Sequence, residues 1–402
     1  MFFLILHHQE KEREMYLLIF TTAEIVMLIA LFILFLTQVI YHVGLYGAVY
    51  RHLKDDKKGN LPYQAELLPV SVIITARDDS ANLEKFLPSV LTQDYPNFEV
   101  IVVNDGATDD SNDLLTLMSS KYKNLYHTFT PNNARYVSSK KLALTVGIKA
   151  AKHDWLVFTE ANCQPVSDQW LRMMARNFTE STEIVLGYNT YQRGEAMWQH
   201  KIKFFNFFNQ IRSLSFALSS KAYMGIGRNM AYRKDLFFKN KGYSKHLNLK
   251  GGYDDVFINE VATPYNTRVE LNPDSIVLME PFEEEHLWQE ERTNYRSTAR
   301  LYHGHQRLIL GLETCTRLLF LLSEIGVIIY SSVKQQWVIL GISVFLLIVY
   351  NVMHIWKFNN AARALCEPKH YFTYVKNDWM QPWESLKNKI AYISSDKKEY
   401  SR

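Results

Sequence analysis

The pattern of apolar and polar residues between positions 70 and 110 predicts a strand, a helix and a second strand, in that order. Residues 72–75 are an apolar run of strand length. In residues 82–91 apolar residues recur every three or four positions, as on a helix that packs against a sheet. Residues 99–103 predict a second strand, in which four apolar residues follow Glu99. Two strands joined by a helix form a βαβ unit, so we predict a parallel sheet that is covered on both faces.

Polar residues follow both predicted strands. Arg77 and Asp79 come after the first strand, and Asp105 comes after the second. Ligands of parallel sheets bind at the carboxyl ends of the strands, so we expect these residues and Thr75 to line a ligand-binding slot. The alternative is an ordinary turn after the strand, with Asp109 capping the next helix. Both interpretations can hold together.

Three segments of the chain resemble the inverting family 2 glycosyltransferases. They are V-S-V-I-I-T-A-R-D-D at residues 70–79, Q-D-Y-P-N-F-E-V-I-V-V-N-D-G at residues 93–106 and F-T-E-A-N-C at residues 158–163. An ordered series of motifs is more specific than any one of them. The resemblance implies an α/β domain of the GT-A type over residues 69–300, Rossmann-like with a mostly parallel sheet. It also implies a nucleotide-sugar donor whose pyrimidine base lies in this slot and contacts Asp105.

The same resemblance assigns residues to the donor's phosphates. The segment S-K-K-L-A-L at residues 139–144 resembles the family's G-K-x-x-A-L, with Ser139 in place of the glycine. The resemblance places Lys140 near the pyrophosphate, where its charge neutralises phosphate. A solvated lysine in a first helical turn is the alternative. Glu160 and Asn162 stand where the family has D-x-D, whose carboxylates hold Mg²⁺ or Mn²⁺. Because Asn162 offers only a neutral amide oxygen, either the site takes a weaker metal or the protein binds its donor without turnover.

Asp254 and Asp255 match the family's E-D pair. The resemblance makes Asp255 the base, because an inverting transfer is a single displacement in which one carboxylate deprotonates the acceptor hydroxyl. Two adjacent carboxylates repel each other, which raises one pKa and helps a base work near neutral pH. The pair also suits the N-terminus of a helix, where carboxylates commonly cap backbone N–H groups.

Three further segments concern the acceptor or the donor phosphates. G-I-G-R-N-M-A-Y-R at residues 225–233 resembles the family's acceptor segment, and its glycines let backbone approach a sugar. Q-E-E-R at residues 289–292 resembles the Q-x-x-R-W of processive synthases, so Arg292 is expected to pair with phosphate. Thr293 replaces the tryptophan, which argues against long-chain polymerisation. The aromatic-rich residues 198–216 fit either a helix at a membrane interface or a core helix.

Apolar residues are concentrated near both ends of the chain. Residues 17–49 contain one acid and no Lys or Arg, which fits one spanning helix. Residues 337–356 form a second apolar stretch with tryptophan at both edges. Residues 308–330 are also apolar and form a third candidate, although they include the charged residues Glu313, Arg317 and Glu324. An amphipathic hairpin that only dips into the bilayer is the alternative for this last stretch.

Charge predicts the topology. Lysines and an arginine at positions 51–58 follow the first span, and residues 357–402 carry nine basic and five acidic residues, so both segments are expected in the cytoplasm. We therefore predict a multi-pass protein of the inner (cell) membrane, with a cytoplasmic catalytic domain. Its predicted regions are an N-terminal region with one transmembrane helix (1–50), a basic linker (51–68), the GT-A domain (69–300), two C-terminal membrane helices (301–356) and a basic cytoplasmic tail (357–402).

Composition excludes some other classes. A net charge of +4 gives no basic surface of the size that nucleic acid requires. The three cysteines are far apart in sequence, so neither a disulfide framework nor a structural zinc site is expected. Three transmembrane helices are also too few to form the pathway of a transporter or channel.

The sequence thus predicts a glycosyltransferase that moves a sugar, with inversion, from a UDP- or GDP-linked donor to a lipid-linked or membrane-proximal saccharide acceptor. The alternative is a catalytically silent protein that binds a nucleotide sugar or scaffolds a polysaccharide assembly system. The E-A-N segment at residues 160–162 favours this alternative, whereas Asp105 and the Asp254–Asp255 pair speak against it.

Overall fold

The computed structural model describes residues 20–106, 108–130, 138–219, 221–247, 249 and 251–399. The chain divides into two units. We call residues 48–307 the central unit, and the segments before residue 48 and after residue 307 the terminal unit.

The strands all lie in the central unit. In chain order they are β1 Val70–Ala76, β2 Phe98–Asn104, β3 Leu125–Phe129, β4 Trp155–Glu160, β5 Cys163–Pro165, β6 Ile184–Gly187, β7 Asn189–Tyr191, β8 Met230–Arg233, β9 Thr267–Glu270 and β10 Val277–Met279.

The helices occur in both units. In chain order they are α1 Thr22–Ile40, α2 Gly47–Lys57, α3 Ser80–Leu91, α4 Ser111–Lys121, α5 Ser139–Ala150, α6 Trp170–Ala175, α7 Met197–Ser219, α8 Lys234–Lys239, α9 Asp255–Val261, α10 Glu285–Thr298, α11 Gln306–Val333, α12 Trp337–Ala364 and α13 Phe372–Glu399. A π-helical segment, Tyr41–Tyr46, joins α1 to α2, and short 3-10 turns occupy Ser244–His246, Pro273–Ser275 and Ala299–Leu301.

The main sheet has seven strands in the order β3-β2-β1-β4-β8-β6-β9. Strands β3, β2, β1 and β4 are parallel, β8 is antiparallel to both of its neighbours, and β9 is parallel to β6. This confirms the predicted α/β fold with a mostly parallel sheet, and β1-α3-β2 is the predicted βαβ unit. A second sheet of three strands has the order β5-β10-β7.

The core lies where helices cover this sheet. The predicted apolar runs form its centre, because β1 and β2 are buried along most of their length. Helix α5 packs on both strands, with Gly147 at the closest approach to Ile73 and Val103. Five phenylalanines of α7 are at most 8% exposed, namely Phe204, Phe205, Phe207, Phe208 and Phe216. Helix α7 is therefore a core helix of the central unit.

Two helical stretches of the described chain are long and apolar enough to cross a membrane, Thr22–Lys57 and Trp337–Ala364. They match the first and last predicted spans, although residues 17–19 of the predicted first window lie outside the described residues. The third candidate forms α11, and whether it crosses a membrane stays a prediction. The terminal unit has an apolar cluster of its own, which includes Leu31, Phe35, Phe320, Leu321 and Tyr350.

The buried Arg317 of α11 is paired with an acid on its own helix and with one on α13. The guanidinium of Arg317 lies 3.6 Å from Glu313 one turn earlier, as its spacing predicts, and 3.0 Å from Asp378 of α13. Tyr350 of α12 donates to the same aspartate at 2.9 Å. Since a buried charge without a partner is costly, this network holds α13 against α11 and α12.

We predict that Gly147→Val destabilises the central unit. A Cβ atom at this position would lie 2.8 Å from Cγ2 of Ile73 and 3.1 Å from Cγ2 of Val103. Overpacking of this kind costs about 1–3 kcal/mol, which thermal unfolding of the purified chain in detergent would detect. Gly311→Val is the matched control, because no atom lies within 4 Å of a Cβ there. Equal melting temperatures for the two variants would contradict the described packing of α5.

Candidate active site

The carboxyl ends of three neighbouring parallel strands form one polar edge of the main sheet. Ala76 of β1 pairs with Asn104 of β2, and Thr75 pairs with Glu160 of β4. The register therefore brings together the polar residues that follow each strand. Asp105 is 8% exposed, and its carboxylate accepts a hydrogen bond of 2.9 Å from the hydroxyl of Thr130. Its backbone N–H donates to Ala76, so the ends of β1 and β2 are tied together.

The turn after β1 places Arg77 and Asp79 beside this edge. The backbone N–H of Arg77 donates to the carboxylate of Asp79 at 3.3 Å, and its guanidinium lies 3.5 Å from the hydroxyl of Ser139 at the start of α5. Arg77 is exposed and thus available to a ligand. Asp109 accepts hydrogen bonds from the backbone N–H groups of Ser80 and Ser111, the first residues of α3 and α4. The N-cap of α4 is Asp110, one residue after the predicted cap, so Asp109 binds the helix start from the residue before the cap.

Glu160, at the end of β4, is paired with two cationic side chains. Its Oε1 accepts a hydrogen bond from the ammonium of Lys140 in the first turn of α5, and its Oε2 accepts one of 2.8 Å from Nε of Arg228. Tyr253 adds a hydroxyl donor at 3.3 Å and also presents its ring to Lys140, with Nζ 4.5 Å from the ring centroid. Burial disfavours the charged carboxylate, but the two cations outweigh burial and hold the pKa of Glu160 well below its usual range.

Arg228 extends this group of charges to α10. Its two terminal nitrogens donate to the two carboxylate oxygens of Glu291, each at 2.9 Å. Arg228 is 12% exposed and Glu291 is 24% exposed. The four residues, Lys140, Glu160, Arg228 and Glu291, are called the charge cluster below. The sequence interpretation assigned no site role to Arg228 or Glu291, although both stand in segments that it singled out.

Glu160 and Asn162, the predicted metal ligands, do not fit a divalent cation in this arrangement. Both oxygens of Glu160 already accept hydrogen bonds from cationic groups, which would repel a metal ion. The side-chain oxygen of Asn162 lies 3.4 Å from the sulfur of Cys163 and is a neutral ligand. Within the described ranges, no three His, Cys, Asp or Glu side chains are grouped as metal ligands would be.

Asp254 is the N-cap of α9. Its side chain accepts hydrogen bonds from the backbone N–H groups of Asp255 at 2.8 Å and Gly227 at 3.0 Å, and from the hydroxyl of Tyr295 at 2.8 Å. The capping interpretation is therefore correct for this aspartate. Because Gly227 precedes Arg228, the bond to Gly227 also ties the start of α9 to the charge cluster.

Asp255, the predicted base, is fully buried in the first turn of α9. Its Oδ2 accepts hydrogen bonds from the hydroxyls of Thr298 and of Tyr302, the latter at 2.7 Å. Its Oδ1 has no hydrogen-bond partner among the described residues. Burial, followed by the charge of Asp254, raises the pKa of Asp255 to about 7. The site thus contains a carboxyl group that changes charge near neutral pH and has one oxygen available as a proton acceptor.

Arg292 lies on α10 beside aromatic rings. Its guanidinium carbon is 4.4 Å from the ring centroid of Trp288 and 5.6 Å from that of Phe205. Such stacking positions the guanidinium group. The expected contact of Arg292 with phosphate stays a prediction.

Comparison with known proteins identifies the fold. A mannosyltransferase from Pyrobaculum calidifontis, solved in complex with GDP-Man and Mn²⁺, superposes with a TM-score of 0.50 at 15% identity, covering 83% of this chain and 99% of that one. The fold is therefore the GT-A glycosyltransferase fold. Residues 71–239 match the family model for glycosyl transferase family 2. Residues 71–239 thus form a family 2 glycosyltransferase domain, as the sequence predicted.

Two curated relatives are similar over part of the same region. A beta-monoglucosyldiacylglycerol synthase of Nostoc sp. is 26% identical over 149 residues, which are 36% of this chain and 30% of the relative. The UDP-Glc:alpha-D-GlcNAc-diphosphoundecaprenol beta-1,3-glucosyltransferase WfaP of Escherichia coli is 27% identical over 125 residues, which are 30% of this chain and 45% of the relative. The aligned part of the chain thus spans less than half of either relative.

We predict that Glu160→Gln destabilises the central unit, because it leaves Lys140 and Arg228 without their shared carboxylate. Removing one partner of a largely buried pair costs about 3 kcal/mol, which would lower the melting temperature by several degrees. Glu280→Gln is the matched control, since Glu280 pairs with Lys85 on the surface, where the two side chains are 36% and 55% exposed. Surface pairs contribute little. A Glu160→Gln variant as stable as this control would show that the charge cluster is not formed.

Proposed function

We propose that the protein is a glycosyltransferase that transfers a sugar, with inversion, from a nucleotide-sugar donor to a lipid-linked or membrane-proximal saccharide acceptor. The observation that carries the proposal is the buried Asp255, whose pKa is raised to about 7 and whose Oδ1 is unpaired among the described residues. It supports a general base that works near neutral pH, which is the one group that an inverting transfer requires.

The nucleotide is proposed to bind at the carboxyl ends of β1 and β2. The carboxylate of Asp105 would accept the ring N–H of the base, and Thr75, Arg77 and Asp79 would line the same slot. Lys140, next along this edge, would lie beside the diphosphate. The order of strands supports this placement, because β2, β1 and β4 are neighbours and their carboxyl ends face one region.

The transfer is proposed to proceed as a single displacement. Oδ1 of Asp255 takes the proton of the acceptor hydroxyl while the oxygen of that hydroxyl attacks the anomeric carbon of the donor sugar. The bond between the anomeric carbon and the diphosphate oxygen breaks at the same time, and the nucleoside diphosphate leaves with the electron pair. Asp255 is fully buried, so an acceptor reaches it only when the covering residues move aside.

Names of relatives and the candidate spans support the class of acceptor. One relative is named for a glucosyldiacylglycerol product and another for a diphosphoundecaprenol acceptor, so both names describe membrane lipids. The two apolar helical stretches would hold this chain at such an acceptor. The basic residues after the first stretch support a cytoplasmic location for the central unit in a multi-pass inner-membrane protein.

A catalytically silent nucleotide-sugar-binding protein is the second candidate. It is favoured by Asn162 in place of a carboxylate and by the ion pairs that occupy Glu160. The two candidates differ in turnover, which an assay of nucleoside diphosphate release measures.

We predict that Asp255→Asn lowers turnover by about 100- to 10,000-fold, the usual contribution of a general base. Donor affinity should stay within a few-fold, because the nucleotide slot is built from other residues. The assay is nucleoside diphosphate release by the detergent-purified chain across a panel of nucleotide sugars and lipid acceptors. Asp235→Asn, in the first turn of α8 where this side chain is 39% exposed, is the control. Unchanged turnover in Asp255→Asn would refute the base assignment, and no turnover in the parent chain with donor binding intact would favour the silent protein.

The pH profile provides a second test of Asp255. Since the base must be ionised, kcat/KM should fall as pH drops below about 7. Tyr302→Phe removes a hydrogen bond to the ionised form and should move this acidic limb to higher pH. Asp254→Asn removes a neighbouring negative charge and should move it to lower pH. If the acidic limb moves in the same direction in the two variants, or in neither, another group titrates.

A further inference from the structure

The charge cluster contains two cations and two carboxylates that are joined by hydrogen bonds. Lys140 and Arg228 both donate to Glu160, and Arg228 also donates through both terminal nitrogens to Glu291. Glu160 is 15% exposed, and Lys140 is the most accessible member at 34%. The cluster is therefore more open on the side of Lys140, at 34%, than around Arg228, at 12%.

The net charge of this cluster equals that of a divalent cation held by two carboxylates. Two monovalent cations and two carboxylates sum to zero, as one divalent cation and two carboxylates do. The second carboxylate comes from Glu291 of α10 rather than from position 162, which is an asparagine. The chain thus carries, in its own side chains, the positive charge that a metal supplies at such a strand end.

Both cations retain hydrogen-bond donors for a ligand. A guanidinium has five N–H groups, and Arg228 uses three of them on Glu160 and Glu291. An ammonium has three, and Lys140 uses one on Glu160. Hydrogen bonds from cationic donors to phosphate are among the stronger ones in proteins.

A divalent ion would have to displace these cations before binding. Each oxygen of Glu160 is occupied, and losing these pairs would leave the largely buried Arg228, at 12% exposed, with Glu291 as its remaining carboxylate partner. The ion would also enter a site that already holds two positive charges. The arrangement therefore favours the resident cations over a metal.

We propose that Lys140 and Arg228, held by Glu160 and Glu291, form a resident cationic site for the diphosphate of the nucleotide donor, so that donor binding needs no divalent metal ion. This rests on the proposed function, because it concerns the donor of that reaction. It adds Arg228 as a donor-binding residue and Glu291 as the residue that positions it.

The test uses UDP and GDP as probes and the full chain purified in detergent. Isothermal titration calorimetry is run once with EDTA and once with Mn²⁺. The proposal expects one of the nucleotides to bind with the same Kd, within about threefold, in both buffers. Arg228→Met should weaken that binding in EDTA by about 10- to 100-fold, the usual loss for hydrogen bonds to a charged group.

Three further variants separate binding from folding. Arg228→Met combined with Glu291→Gln removes one charge of each sign, so it avoids an unpaired buried carboxylate and should show the same loss of binding. Arg228→Lys keeps the charge but cannot bridge two carboxylates, so its loss should be intermediate. Arg172→Met removes a surface cation that pairs with Asp94 at 3.0 Å and should bind like the parent chain. Melting temperatures of all variants are measured beside the titrations.

The outcomes distinguish this inference from the proposed function. Binding that requires Mn²⁺ would overturn the resident cationic site while leaving the transferase proposal in place. Equal binding by the parent chain and the folded double variant would overturn it as well. If neither nucleotide binds in either buffer, the proposed function and the inference fail together.

Discussion

The ion pairs of Glu160 hold the site together. This carboxylate ends the fourth strand of the sheet, and its two oxygens accept hydrogen bonds from the start of α5 and from the segment before β8. Arg228 then carries the contact to α10 through Glu291. Four parts of the chain that are distant in sequence are thus fixed by charges that cannot separate without leaving a poorly solvated ion. Asp254 is linked to the same arrangement, because its carboxylate accepts a hydrogen bond from the backbone N–H of Gly227, the residue before Arg228.

The parallel sheet decides what lies around that carboxylate. Because β2, β1 and β4 are adjacent and run in one direction, the residues that follow them face the same region. Asp105 and Arg77 are therefore neighbours of Glu160 for reasons of topology. A chain with the same motifs on antiparallel strands would place them at opposite edges.

The second half of the site depends on burial. Asp254 caps α9 with its side chain, which keeps Asp255 in the first turn of that helix and out of water. Two neighbouring carboxyl groups in a buried position cannot both ionise as readily as in water, and this is what brings Asp255 into the range of a base at neutral pH. The cap interpretation and the catalytic interpretation of this pair are therefore compatible: the cap produces the environment that the base requires.

The sequence by itself determined the fold class, the family and most of the candidate residues. Apolar periodicity and polar strand ends are local signals, so β1, α3, β2 and the row containing Arg77, Asp105 and Glu160 could be predicted. Only the tertiary structure decided that α7 is a core helix, that Glu160 binds Lys140 and Arg228, and that Glu291 rather than residue 162 supplies the second carboxylate. Arg228 is 68 residues from Glu160 and 63 from Glu291. No local pattern encodes such pairs, because they form only when the packing of the sheet brings distant charges within hydrogen-bonding distance.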